Sequence, residues 1–181
     1  MLEMLKKRRS VRNFTKSPVE AEKIDMLVHA ALLSPTSRNL QPWEFIVVTD
    51  KDILENLSQS KEDGSEFLKN APLGIVVIAE SDKSDVWVED TSIASIIIQL
   101  TAESLGLSSC WIQIRKRRHK NGITSEQYVR EILGIPENRS VESIIALGYK
   151  HKEAVNRTEK KLKYERVKLN EYGRAYQSLN G

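Results

Sequence analysis

The sequence predicts a mixed α/β or α+β domain, and three observations carry that expectation. Apolar segments with strand character alternate along the chain with segments of helical periodicity. One of them, Leu73–Ala79 ("LGIVVIA"), is so uniformly apolar that it has to be covered on both faces, as a central strand is. Several helix ends are also written in capping chemistry, with Asp50 and Thr124 as starts and Gly106 and Gly134 as stops. At 181 residues the chain suits one domain, 1–181, whose residues 150–181 form a charged extension with too few apolar side chains for a core of its own.

In order, residues 2–9 read as a short basic helix. Ser17-Pro18-Val19-Glu20 predicts a second start, with Ser17 as cap, Pro18 in the first turn and Glu20 reaching back to close a capping box. Behind it Ile24, Leu27, Val28 and Ala31 share one face, and Ser34-Pro35 ends the helix because proline disfavours helical geometry in the residue before it. Residues 43–49 ("WEFIVVT") form a strand, and Asp50 caps a helix carrying Ile53, Leu54 and Leu57. Residues 59–72 are polar and irregular, with a helical turn near 66–69. After the apolar strand come a helix over 90–105, a strand over 108–114, a helix between the Thr124/Gln127 capping box and Gly134, and a strand over 141–149. Ile93, Ala94, Ile96, Ile97, Ile98, Leu100, Ala102 and Leu105 cover more than one stripe of the 90–105 helix. Such a helix is covered on several sides, either by the sheet and a second subunit or as the central helix of a monomer.

Composition removes several classes. Lys+Arg is 28 against Asp+Glu at 25, a net charge of +3 that is too small to argue for nucleic acid. A single cysteine, Cys110, rules out an internal disulfide and suits a reducing cytoplasm; within its apolar strand it reads as a small buried hydrophobe. The N-terminus lacks the apolar core of a signal peptide, and the longest apolar run, 91–102, is too short to span a bilayer. The glycines stand singly, so no dinucleotide or nucleoside-triphosphate loop can be assembled, and no nucleophile elbow is present. His29, His119 and His151 are far apart and no metal-ligand cluster is suggested. An enzyme without such groups needs a cofactor for difficult chemistry.

Three stretches are chemically dense. Arg8-Arg9-Ser10-Val11-Arg12 places three guanidinium groups and a hydroxyl within five residues, which suits a phosphate or a solvated helix end. The loop "SPTSRNLQPW", residues 34–43, holds hydroxyls, carboxamides, two prolines and a tryptophan but no glycine, the composition of a rigid ligand-holding loop. Arg115-Lys116-Arg117-Arg118-His119-Lys120 is a basic run before the turn pair Asn121-Gly122. With no aromatic residues interleaved it reads first as a solvated loop, second as an attractor of anionic substrate phosphates, and last as a nucleic-acid-binding module.

Arg8-Arg9-Ser10-Val11-Arg12-Asn13-Phe14, the Pro35-Thr36-Ser37-Arg38-Asn39-Leu40-Gln41-Pro42-Trp43 loop, the helix–strand unit from Ala102 to Gln113 and the strand ending Leu147-Gly148-Tyr149 occur in this order. Together they resemble the nitroreductase family of FMN-dependent oxidoreductases, from about residue 4 to about residue 173. The resemblance implies a mainly antiparallel central sheet flanked by helices, a cytoplasmic homodimer with FMN at the subunit interface, and a C-terminal arm reaching the other subunit. It implies a ping-pong transfer of hydride from NADH or NADPH through flavin N5 to nitroaromatic, quinone or similar acceptors. Arg8, Arg9, Ser10 and Arg12 would serve the phosphate, ribityl and pyrimidine side, and Pro35, Thr36, Ser37 and Asn39 would approach from the partner. Gln41, Pro42 and Trp43 would either set the loop's angle or simply pack at the strand entry. Ile112 would lie against the ring and the backbone N–H of Gln113 would face N5, with no side chain as general acid or base. Where the family commonly has glycine, this chain has Ile114, whose branched side chain would crowd the substrate face or redirect the strand. Lys160 and above all Lys161 would reach the phosphate, with Arg157 in reserve. Flavin binding or cleavage without a reductase activity is the alternative within the same resemblance.

Overall fold

In the computed structural model, which describes residues 1–152 and 162–176, four strands form one sheet in the order β1-β2-β4-β3. They are β1 (Trp43–Val48), β2 (Leu73–Ala79), β3 (Ser108–Gln113) and β4 (Ser140–Gly148), and all their pairings are antiparallel. Five helices surround them: α1 (Leu2–Lys7), α2 (Ala21–Leu32), α3 (Lys51–Ser58), α4 (Trp87–Ser104) and α5 (Ser125–Leu133). The mixed class and the antiparallel sheet are as the sequence predicts.

Strand alternation sorts the core into two layers. Leu73, Ile75 and Val77 of β2, with Ile145 and Leu147 of β4, pack against Leu27 and Ala31 of α2 and Ile98 and Ala102 of α4. Val76, Ile78, Ile112, Ile144 and Ala146 turn the other way, toward Leu54 and Leu57 of α3 and Val129 of α5. Both central strands are buried throughout apart from the first residue of β4, which is why β2 and the second half of β4 read as nearly continuous apolar runs. A fully buried leucine such as Leu27 or Leu57 contributes roughly 2 kcal/mol in transfer terms. Gly148, at the end of β4, is dictated by packing: a Cβ there would stand 2.6 Å from Cδ of Pro72 and 3.1 Å from Cδ1 of Phe14.

Local chemistry explains the helix ends, with one correction. Asp50 accepts hydrogen bonds from the backbone of Asp52 and Ile53, and Thr124 accepts one from Gln127. Gly134 closes α5 in the left-handed conformation at φ 64°, and Gly106 follows α4 at φ 74°. The second helix does not begin at Ser17-Pro18: α2 starts at Ala21 with Glu20 in the cap position and no side-chain cap bond. The Glu20 carboxylate is turned to the Tyr149 hydroxyl, which donates to it at 2.6 Å, and to the Lys23 ammonium at 3.5 Å. That tertiary contact outcompetes the capping box. The helix over 90–105 also begins earlier, at Trp87, and carries both a buried face and exposed Ile93 and Ile96.

The N-terminal segment extends the sheet beyond β3. Ser10 forms a parallel bridge with Ser109, and Val11 N–H donates to the Ser109 carbonyl at 3.0 Å. The chain then crosses to the end of β4, where Phe14 bridges Lys150 and is buried in the core. Among the described residues no helix is long and apolar enough to cross a membrane.

Candidate functional site

Arg8 ends α1, and the chain that follows carries Arg9, Ser10 and Arg12 along the start of β3. Cys110, the next residue of β3 after Ser109, is buried. Arg12, Ser10, Arg8 and Lys61 all act on the Cys110 thiol: burial pushes it up, and these four pull the other way. The N-terminal arginines and Lys61 therefore lie close enough to the buried thiol to act on it. Arg12 also lies over the ring of Phe67, its guanidinium carbon 5.8 Å from the centroid.

Lys61 is the member of this cluster that sequence reasoning missed. Burial pushes its ammonium below the ordinary lysine range and Arg117 pushes the same way, with Glu66 opposing. Cations brought together on partly buried ground are stabilised by an anion, and planar guanidinium groups with a hydroxyl are a donor set for phosphate oxygens. Nothing in the polar segment 59–72 singles Lys61 out, because its importance comes from a fold that lays this loop against Arg12.

At the other end of β3 stands Gln113. The Ser109 carbonyl faces the N-terminal segment, whereas Ile114 N–H donates inward to the Glu142 carbonyl at 3.1 Å. The alternation of an antiparallel ladder then turns the backbone N–H of Gln113 toward the outer edge of the sheet. Beyond Ser109 the described residues place no strand on that edge. Its side chain is pinned: Trp111 Nε1 donates to Oε1 at 2.9 Å, and Nε2 donates to the Glu142 carboxylate at 3.1 Å.

Two expectations on this strand need correction. Ile112 is only 1% exposed and packs in the α3–α5 core layer, so its side chain offers no surface to a ring; the half-buried Trp111 and Gln113 do. Ile114 is likewise fully buried among Val129 and Val141, so it neither crowds an open face nor bends the strand away. A branched residue is tolerated there because the position faces the core.

The loop between α2 and β1 shows why it does without glycine. Arg38, Asn39 and Gln41 adopt left-handed backbone at φ 53°, 55° and 49°, a conformation costing roughly 1–2 kcal/mol per non-glycine residue. Side chains hold it. The buried Asp90 accepts from Ser37 N–H at 2.9 Å and from the Ser84 hydroxyl at 3.0 Å. The Thr36 hydroxyl accepts from Gln41 N–H at 3.0 Å, and Arg38 pairs with Asp85. Pro42 and Trp43 are buried at the strand entry, and the Pro42 carbonyl accepts from Glu80 N–H. Pro35 and Asn39 are exposed, while Thr36 and Ser37 are half-buried.

The structure does not bring the two predicted halves of the site together within one chain. Ser10 lies beside Ser109, which pairs with Leu147, while the 34–43 loop meets Glu80 just past Ala79, which pairs with Ser140. From Leu147 to Ser140 along β4 is roughly 20 Å at the rise of a strand. Lys160, Lys161 and Arg157 lie outside the described residues.

The basic run is neither loose nor buried. Glu62 N–H donates to the Arg118 carbonyl, His119 N–H to that of Ile123 and Ser125 N–H to that of Arg117, while His119 stacks on Tyr128 at 4.1 Å. The folded-back loop and the 59–70 segment enclose a half-open cavity of about 520 Å³, lined in part by Lys61, Lys69, His119 and Lys120 with Glu55 and Glu66.

An antiparallel four-stranded sheet with helices on both faces is the arrangement of a mixed α+β domain of the nitroreductase-like class. The nitroreductase family model matches residues 5–65 and 59–149, and the chain belongs to that family of oxidoreductase enzymes. An FMN-dependent nitroreductase from Clostridium difficile R20291 is 50% identical, with a TM-score of 0.93 over 95% of this chain and 100% of that one. A Parabacteroides distasonis structure named as an NADH dehydrogenase/NAD(P)H nitroreductase is 32% identical, with a TM-score of 0.86 over 94% and 98%. An Archaeoglobus fulgidus protein of the same name is 39% identical over 152 residues, 82% of this chain and 84% of its own.

Proposed function

We propose that the protein is an FMN-dependent homodimeric reductase that takes electrons from NADH or NADPH and passes them to small oxidised acceptors such as nitroaromatics or quinones. The observation that carries this reading is the edge of β3. Cations gather around Cys110 near its start, and the outward N–H of Gln113 stands at its end, about three residues or roughly 10 Å further on. Those residues fit FMN: Arg8, Arg9, Ser10 and Arg12, with Lys61, present the donors an anionic phosphate and polar chain need, and the open strand edge presents a donor for the ring.

FMN held there would supply two-electron hydride chemistry through N5, between a nicotinamide donor and the acceptor in alternate ping-pong half-reactions. The protein's own part is to hold and to polarise. Gln113 would offer its backbone N–H to the reacting edge, Arg12 would place positive charge on the pyrimidine side, and Lys160 and Lys161 would add to the phosphate end. No side chain acts as general acid or base in this reading.

The dimer is supported by the separation of the two half-sites, since Pro35, Thr36, Ser37 and Asn39 would reach the ring from the partner. It is also supported by the exposed apolar residues Leu2, Leu5, Met26, Leu33, Ile93 and Ile96 on α1, α2 and α4 and at the end of α2. The C-terminal residues would then lie as an arm on the partner, and the lone thiol suits a cytoplasmic setting. The basic loop and its cavity favour a finer reading in which Arg117, Arg118 and neighbouring lysines draw in the phosphates of the nicotinamide donor.

The test is the visible spectrum of the purified protein with FMN, then with NADH or NADPH without oxygen. A flavin spectrum that bleaches with a nicotinamide is the expected outcome. Bound flavin that no nicotinamide reduces would instead favour a protein that stores or cleaves flavin, and failure to bind FMN would remove the proposal.

A further inference from the structure

Glu142 is a charged residue where none is expected. It sits inside the most apolar strand pair of the molecule, at a break in register: Val77 pairs with Ser143 and the next residue, Ile78, with Val141, so Glu142 is the extra residue of a β-bulge. It is 3% exposed, and its Oε2 is buried without a hydrogen-bond partner. Bulges re-aim side chains and end pairing next to functional sites, and this one lies opposite the end of β3.

Everything at that end is tied to Glu142. Its carbonyl accepts from Ile114 N–H and from Arg115 N–H, each at 3.1 Å, and from Gln113 Nε2 at 3.3 Å. Its Oε1 accepts from the same Nε2 at 3.1 Å, which fixes the orientation of the Gln113 amide and leaves Oε1 of Gln113 to the Trp111 indole. Arg115 stands 4.0 Å from Oε2, beyond hydrogen-bond reach, and lies instead over the Trp87 ring, 5.4 Å from its centroid.

We propose that Glu142 is a positioning residue for hydride transfer: through the Gln113 amide and the bulge carbonyl it holds the Trp111–Gln113 edge of β3 in register with the flavin ring. The inference rests on the reading that Gln113 faces the flavin. An apolar side chain at position 142 would pack as well, but would remove the carboxylate acceptor and leave the Gln113 amide only the backbone carbonyls of Arg115 and Glu142, at 3.2 and 3.3 Å. The rigidity required of a donor aimed at a reacting atom gives a reason for a buried carboxylate in this strand.

The charge state of Glu142 follows from its surroundings. Burial pushes its carboxyl above the usual carboxylate range; Gln113 and Arg115 oppose that, while Glu126 on α5 and Glu89 on α4 reinforce it. Arg130 partly offsets Glu126, to which it lies at 3.7 Å. An acid raised in the folded state binds more protons there than in the unfolded chain, so stability falls as pH rises from the ordinary carboxylate value through the raised one. In Glu142→Gln that slope disappears while the acceptor for Gln113 is retained.

The experiment compares wild type, Glu142→Leu and Glu142→Gln, each loaded with FMN. The proposal expects Glu142→Leu to bind FMN within about threefold of wild type yet to be reduced by NADH or NADPH about tenfold more slowly, the effect of one lost positioning hydrogen bond, with Glu142→Gln restoring most of the rate. Unchanged reduction in Glu142→Leu would overturn the proposal and leave the flavin reading intact, whereas failure of the wild type to bind FMN would overturn both. A second measurement needs neither flavin nor the leucine variant. The Trp111 indole N–H resonance, assigned with Trp111→Phe, should move with pH in the wild type and stay fixed in Glu142→Gln. A Trp111 signal that does not titrate, or that titrates alike in both, would overturn the proposal.

Discussion

Two loops of similar length are held in opposite ways. Residues 34–43 keep three left-handed non-glycine residues in place with side chains: Asp90 from α4, Thr36 within the loop and the Arg38–Asp85 pair. Residues 115–124 are held mainly through the main chain, by the Glu62–Arg118, Ser125–Arg117 and His119–Ile123 bonds, with the His119 and Asn121 side chains bracing the turn, Lys116 at φ 57° and Gly122 at φ 90°. The first loop spends its polar side chains on its own shape, so its sequence is narrowly specified. The second uses only the main chain of Arg117 and Arg118 for its shape and leaves their side chains exposed, so their charge is available to whatever approaches. One loop is built to be a rigid surface, the other to carry a field.

Breaking the side-chain-held loop should have the largest effect. Asp90→Ala leaves Ser37 N–H and the Ser84 hydroxyl without their buried acceptor, and should cost about 3 kcal/mol in urea denaturation, with FMN affinity falling alongside if the loop completes a partner's site. A loss within 0.5 kcal/mol, on the order of an ordinary surface change, would mean that the loop holds itself. Thr36→Val keeps the shape of the side chain but removes the acceptor for Gln41 N–H. About 1 kcal/mol of stability should go, with a rise in local hydrogen exchange over residues 37–41.

The second loop should respond to a backbone change at Gly122 and ignore changes to its exposed arginine side chains. Gly122→Ala should cost about 1 kcal/mol, because a Cβ is disfavoured at that φ although nothing stands within 4 Å of it. Arg117→Gln with Arg118→Gln should change stability by less than about 0.5 kcal/mol. The pair should instead raise the KM for NADPH and flatten the salt dependence of turnover. Turnover already insensitive to salt in the wild type would remove the idea that this loop attracts the donor's phosphates.

Much of the molecule was legible because local rules governed it. The apolar runs of β2 and β4, the Asp50 and Thr124 caps and the Gly106 and Gly134 stops depend on residues within a turn of one another. Where the reading went wrong, a distant partner had taken the group concerned: Glu20 was drawn to Tyr149, and Ile112 and Ile114 were claimed by the core between the sheet and α3–α5. The arginine segment and the 34–43 loop announced themselves by composition. Lys61 and Glu142 did not, the one standing in a polar stretch without a motif and the other in an apolar strand where a single carboxylate shows no pattern.

By itself, then, the sequence determined the order and kind of the elements, the family, and two chemically dense segments, since hydrophobic period, caps and short motifs are properties of neighbouring residues. The tertiary structure alone decided which groups meet. It set the arginines and the 34–43 loop at opposite ends of the sheet, brought Lys61 to Arg12 around a buried thiol, and turned the N–H of Gln113 outward. Those outcomes follow from strand order, register and one bulge, which relate residues a hundred positions apart and leave no local trace in the chain.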